Sequence, residues 1–392
     1  MRIVHHVSLI LLGFASGLTC NPHAVSAEGA GASLSSPVGP PWRPGYERPP
    51  VIDVHAHISS TALDRLGQVM DDSGLRTMTN MSGGVVGRTA ERSVEASTRF
   101  GGERLVHFVN VDWRLRHREG FGAYMARALE HAVTRYGFKG LKISKALGLA
   151  VTDAQGRRLP VDWPELAPLF DKAGELGVPV SIHTGDPKAF WDPVTPDNER
   201  YAELKVHPRW SFHGPEFPSR EQLLAERDRL VARHPKTTFI LVHFGNNPED
   251  LDYVDALLKR HPNAVIDTAA RVPEIGRHPP DEVRDFFIRH KARILFGTDL
   301  GLTADHIMLG SSGEQEPSFD DVKPFYDAHW RFFEGNERGI AHPTPIQGDW
   351  TVDAINLPED VLDYLYWKNA ARILKLDAPT PAAPGGPGAT GG

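Results

Sequence analysis

The stretch VIDVHAHISS, residues 51–60, decides how the rest of the chain is read. Its apolar run has the character of a strand, yet it ends in two histidines separated by one alanine, His55 and His57. Strand residues alternate between two faces, which places Asp53, His55 and His57 on one face and Ile52, Val54 and Ala56 on the other. In a buried sheet the polar face enters a space usually filled by Val, Ile and Leu. Each unpartnered polar group there costs about 1–3 kcal/mol, so something has to compensate them.

Seven further short apolar runs follow, at 76–81, 105–111, 139–144, 179–184, 238–244, 264–269 and 293–299. Near-continuous apolar runs of this length suit parallel strands buried on both faces. Amphipathic segments lie between them. Start signals are Asp162 with Glu165, Ser219 with Gln222, and Asn247 before Pro248. Stop signals are His234-Pro235 and His261-Pro262. Strand and helix alternating eight times predict an α/β fold, a (β/α)₈ TIM barrel, with a doubly wound open sheet as the alternative.

The flanks read differently. Residues 1–27 have Arg2, an apolar run from Val7 to Leu18, and small residues at Val25-Ser26-Ala27, the pattern of a secretory signal peptide cleaved before Glu28. The competing reading, a lipoprotein anchored at Cys20, is disfavoured by Thr19 just before it. Cys20 is the single cysteine, so the mature chain would have none. That fits export to a bacterial periplasm or the extracellular space and restricts any metal site to nitrogen and oxygen ligands. Residues 28–48 are a Gly/Ser/Pro-rich linker, 49–377 the barrel, and 378–392 a Pro/Gly-rich tail expected to be disordered. A net charge of −7 without a basic stripe argues against nucleic acid, and no later apolar run spans a membrane. The remaining partner class is a small-molecule substrate.

Three later strands repeat the oddity of the first. The fifth ends in His183 with Ser181 behind it, the sixth in His243, and the eighth in Asp299, with Gly297 leaving room beneath. A lone histidine at a strand end is usually a core or surface residue. Five polar groups delivered to one end of four strands point instead to a shared metal, and that rim is where barrel enzymes place their chemistry. Zinc suits imidazole and carboxylate ligands and keeps an open position for water.

These residues, in the motifs DVHAH, GLKI, IHTG, VHFG and FGTD, resemble the amidohydrolase superfamily. The likeness is to its amidohydrolase-related branch, which includes aminocarboxymuconate-semialdehyde decarboxylase and various lactone and amide hydrolases. Asn369-Ala370 in the closing helix resembles the same branch. The resemblance implies that His55, His57, His183 and Asp299 bind one Zn²⁺, that Asp299 takes a proton from the metal-bound water, and that His243 polarises or protonates the substrate. Some superfamily members carry a carboxylated lysine on strand four bridging two metals. Lys142 is placed for that role, for a substrate carboxylate, or simply for the rim, while Lys145 is expected in solvent. Arg271 holds an anionic group or a surface salt bridge. In the long segment 185–218, Trp191, Phe190 and Trp210 line a pocket or anchor the loop. The family often forms homodimers. The reading is an exported metal-dependent hydrolase of a small amide, lactone or ester; the rivals are a decarboxylase of the same branch and a non-catalytic metal-binding barrel.

Overall fold

Eight parallel strands succeed one another around a single sheet in chain order: β1 (Val51–Ile58), β2 (Leu75–Asn80), β3 (Leu105–Asn110), β4 (Gly140–Ile143), β5 (Val180–Ile182), β6 (Phe239–Leu241), β7 (Ala264–Asp267) and β8 (Ile294–Leu295). Each is followed by a helix: α1 (Leu63–Ser73), α2 (Ala90–Phe100), α3 (Phe121–Tyr136), α4 (Ala167–Leu176), α5 (Arg220–Arg233), α6 (Leu251–Arg260), α7 (Pro280–Arg289) and α8 (Val322–Glu334). The ring closes where the chain leaving β8 meets β1. The Val54 N–H donates to Phe296 O at 3.0 Å and the Asp299 N–H to His55 O at 2.8 Å. Beyond that point β9 (Leu300–Leu302) pairs with β1, and β10 (Ile307–Leu309) pairs antiparallel with β9. The fold is the (β/α)₈ barrel. This computed structural model describes residue 43 and residues 45–377; the expected signal, Cys20 and the expected tail lie outside the described residues.

Two apolar cores stabilise the barrel. Leu141, Val180, Ile182, Phe239 and Ile266 face outward against Leu169, Phe170, Leu257 and Phe287 of the helices. Ile52, Val54, Phe108, Ile240, Val265 and Leu295 fill the interior. Ala370, Ile373 and Leu374 of the last helix (Asn369–Leu374) close that interior at its floor. Asn369 fastens this floor by donating from Nδ2 to Lys291 O and Ile294 O, each at 2.7 Å.

The expected facing of β1 is corrected. Ile52 and Val54 point into the barrel, whereas Asp53 points outward to Thr298 and to Tyr326 of α8. The register of β1 against β2 shifts between Asp53 and Ala56, and the Asp53 carboxylate accepts the His55 N–H at 3.0 Å. A bulge of this kind re-aims the side chains after it. His55 therefore turns inward with His57, while Ala56 and Ile58 join the outer core.

Helix starts also differ in part. Ser219 caps α5 through the Gln222 N–H, as expected. Asp162 does not cap; it pairs with Arg229 and Arg233 of α5. Asp250, not Asn247, caps α6, by accepting the Tyr253 N–H. Arg48, assigned to the linker, packs against α8: it pairs with Glu334 at 2.6 Å and lies over the Trp330 ring. Among the described residues no helix is long and apolar enough to cross a membrane.

Candidate metal centre

At the C-terminal mouth of the barrel three potential ligand atoms converge. Asp299 Oδ1 stands 3.4 Å from His55 Nε2 and 3.3 Å from His57 Nε2. Charge-assisted hydrogen bonds are shorter, about 2.7–2.9 Å, and Asp299 Oδ1 is buried without a hydrogen-bond partner. Two ligands bound to one tetrahedral ion at ~2.1 Å stand roughly 3.4 Å apart, which is the spacing observed. The other nitrogens of the two rings are engaged: His55 Nδ1 lies 2.9 Å from Asp267 Oδ2 and His57 Nδ1 lies 2.7 Å from Ser82 Oγ. A carboxylate only accepts, so His55 carries its proton on Nδ1 and presents a bare Nε2 to Asp299. His55, His57 and Asp299 fit a divalent metal ion.

The charges of these groups follow from burial and neighbours. Burial raises the Asp299 carboxyl, but the rings of His55, His57 and His243, when they carry a proton, outweigh it and hold it well below the usual range. Burial, and then the Lys142 ammonium, lowers His55 and keeps it neutral.

His243 stands directly after β6 in a left-handed turn, at φ 55°, followed by Phe244 at φ 57°. Its ring centroid is 4.9 Å from that of His55 and 4.4 Å from that of His183. Its Nδ1 donates to Ala269 O at 2.9 Å, leaving Nε2 as a lone pair. Burial, then His183 and Arg271, holds its pKa well below the ordinary imidazole value. His243 is thus a neutral ring with a free lone pair on Nε2.

The remaining expected residues lie nearby in different states. The structure does not bring His183 into the trio: its Nε2 is 3.2 Å from both Gly185 O and Asp186 Oδ1. Burial lowers its pKa to about 4, so the ring is neutral at pH 7. Lys142 Nζ lies 3.5 Å from His55 Nε2 and 3.4 Å from Ser181 Oγ, and burial brings its pKa down to about 8. Lys145, expected in solvent, is half-buried, and its ammonium pairs with Asp186 at 2.6 Å. Trp191 is half-buried and anchored, its indole N–H donating to Pro218 O at 3.0 Å while its ring covers Gly185. Phe190 packs with Leu204 and Phe212, and Trp210 stacks on His207.

Arg271 is no surface salt bridge. It is buried, and among the described residues no carboxylate lies within ion-pair distance of it; its guanidinium donates only to Ala270 O. The three other buried arginines among the described residues are paired, Arg200 with Glu203 and Glu274, Arg220 with Glu249, and Arg227 with Asp228.

Sequence reasoning missed Asp267, Ser82, Asp186 and Asn246. Asp267 ends β7 and contacts both His55 and His243. Asn246 clamps the β5 and β6 ends together, accepting the Thr184 N–H and donating to Gly185 O. The position of Asp267 at a strand end was the one available signal, and it is the signal that identified Asp299.

Comparison with known proteins bears on the family. No curated protein matches the sequence. Among solved structures the chain is similar to 2,6-dihydroxybenzoate decarboxylase from Rhizobium, with 19% identity, 84% of this chain and 99% of that one covered, and a TM-score of 0.45. It is similar to a dihydroxybenzoic acid decarboxylase from Polaromonas with bound manganese (16% identity, 83% and 97% covered, TM-score 0.47). It is also similar to 4-oxalomesaconate hydratase from Rhodopseudomonas palustris (13% identity, 83% and 96% covered, TM-score 0.49). None reaches a TM-score of 0.5, so these likenesses carry no argument about chemistry. The amidohydrolase family model matches residues 52–376, from β1 through the last helix. With that match across the whole barrel, this chain belongs to the amidohydrolase family.

Proposed function

We propose that this protein is a metal-dependent hydrolase that directs water onto the carbonyl of a small amide, lactone or ester. The observation that carries the reading is the convergence of His55 Nε2, His57 Nε2 and Asp299 Oδ1 at 3.3–3.4 Å, with the carboxylate oxygen otherwise unpartnered. Zinc suits this donor set of imidazole and carboxylate. A bound divalent ion lowers the pKa of water towards ~7 and polarises a carbonyl. His183 becomes a further ligand if its ring exchanges Asp186 for the centre.

Asp299, held ionised, accepts the proton of the attacking water. His243, neutral with a bare Nε2, accepts a proton in turn and returns it to the leaving group; its bond to Ala269 O keeps the ring aimed. Arg271 and Lys142 are buried cations without carboxylate partners, which supports a substrate with an anionic group. Trp191 contributes by holding the loop over Gly185. The same cations favour a second reading, decarboxylation of a carboxylic acid. With the leader expected at 1–27, the enzyme acts outside the cytoplasm.

Metal analysis of the purified protein together with a substrate panel tests the proposal. One ion per chain and opening of a lactone, ester or amide are expected. Release of carbon dioxide instead selects the lyase. Two ions, with the mass of one added carboxylate on Lys142, would replace the single-ion scheme by a bridged one. A chain that binds no ion overturns both readings.

A further inference from the structure

Asp267 is fully buried at the inward end of β7, and both its oxygens are occupied. Oδ2 lies 2.9 Å from His55 Nδ1. Oδ1 accepts the His243 N–H at 2.7 Å and the Ala269 N–H at 3.2 Å. One carboxylate therefore joins β1, β6 and β7 at the two histidines nearest the centre.

His55, His243 and Asp267 are close enough to form a metal-binding group of their own. The distances decide against it. His55 Nδ1 and Asp267 Oδ2 are 2.9 Å apart, a charge-assisted hydrogen bond and about half an ångström closer than two ligands of one tetrahedral ion. Asp267 also has three donors already.

We propose that Asp267 is the positioning residue that makes His55 a ligand. By accepting the Nδ1 proton it selects the tautomer whose Nε2 lone pair faces Asp299; its other oxygen holds the turn that carries His243. The inference rests on the proposed metal centre. Imidazole ligands generally donate their second N–H to such a partner, and losing it typically costs 10–100-fold in metal affinity. Asp267→Asn is the informative change. Its amide keeps the volume and one acceptor for the His243 N–H, but it turns an NH₂ towards His55 Nδ1. A donor there forces the proton onto Nε2, where it points at Asp299 and blocks ligation, the same inversion that an Asp-to-Asn change causes behind a catalytic histidine.

The test uses full-length protein labelled with ¹⁵N-histidine and stripped of metal by a chelator. The His55 signals are assigned by their loss in His55→Gln. Long-range ¹H–¹⁵N correlation should show His55 protonated at Nδ1 in the wild type and at Nε2 in Asp267→Asn. Zn²⁺ affinity, measured by competition with a chromophoric chelator, should fall 10–100-fold in Asp267→Asn with a circular dichroism spectrum like that of the wild type. His55 protonated at Nε2 in the wild type overturns the proposal, and so does wild-type Zn²⁺ affinity in the variant. If Asp267→Asn does not fold, the wild-type tautomer alone decides. A wild type with the expected tautomer that binds no Zn²⁺ leaves the role of Asp267 in selecting the tautomer standing and removes the metal-centre reading.

Discussion

Replacing Asp53 by Asn should change how the stability of the protein depends on pH. Asp53 accepts the N–H groups of His55 at 3.0 Å and Thr298 at 3.2 Å, and the hydroxyls of Thr298 at 2.6 Å and Tyr326 at 2.8 Å. Burial outweighs these bonds and raises its pKa from 3.8 to about 6. A raised carboxyl binds its proton more tightly folded than unfolded. Its contribution to stability is therefore fully present below pH 3.8 and is lost as pH rises through 6. The shift of about two units corresponds to about 3 kcal/mol. Asn cannot ionise, and whatever its amide loses in hydrogen bonding is the same at every pH. The stability of the wild type minus that of Asp53→Asn should thus fall by about 2.4 kcal/mol between pH 4 and pH 7, mostly before pH 6. Urea unfolding of both proteins in chelator, at one-unit steps of pH, measures this difference, and other titrating groups cancel in it. A flat or rising difference would show that the Asp53 carboxylate is not penalised by burial. The bulge would then be held by an ionised group at no desolvation cost.

Other changes probe the mouth. A Cβ at Gly297 would lie 3.1 Å from His55 Cβ and 3.4 Å from Ala269 Cβ; Gly297→Ala should cost about 1–3 kcal/mol in urea unfolding and weaken Zn²⁺ uptake by pushing His55 off its position. His243→Asn should keep the metal content of the wild type and lower kcat by roughly 10²–10⁴, because it removes a proton acceptor and not a ligand; unchanged turnover refutes that assignment. Arg271→Gln should raise KM for anionic substrates while leaving the unfolding midpoint the same or higher, since it removes an unpaired buried charge. A large loss of stability would mean that Arg271 has a structural partner.

Much of the barrel was legible because buried parallel strands need continuous apolar runs, and the eight runs of this chain have few competitors. The rim was legible for the same reason: His55, His57, His243 and Asp299 are polar residues at strand ends where side chains have nowhere dry to go. What the runs do not encode is where alternation slips. Nothing in VIDVH announces a bulge, so Asp53 was assigned to the interior when it faces α8. Asp267 and Asp186 look like ordinary acidic residues until distant strands bring His55 and His183 against them. Arg271 posed the harder problem, because whether a charge is paired depends on every neighbour in three dimensions.

Backbone strain was equally invisible, and it bears on function. Of seven non-glycine residues with positive φ among the described residues, five lie just beyond β6, β7 and β8: His243, Phe244, Asn246, Ala270 and Asp299. A left-handed L-residue costs roughly 1–2 kcal/mol, so together these approach the 5–15 kcal/mol net stability of a typical domain. The surrounding structure has to hold them. Asp267 accepts the His243 N–H, the Asp299 N–H bonds to His55 O, and Arg220 and Arg227 donate to the carbonyls of Asn246 and Gly245. Phe244 offsets its share by burial against Phe286 and Phe287. Glycine would relieve the strain at each position, but at 243 and 299 it would remove the imidazole and the carboxylate that meet at the centre. Part of the strain thus sits where His243 and Asp299 reach the centre, whereas His55 and His57 reach it from β1 without any.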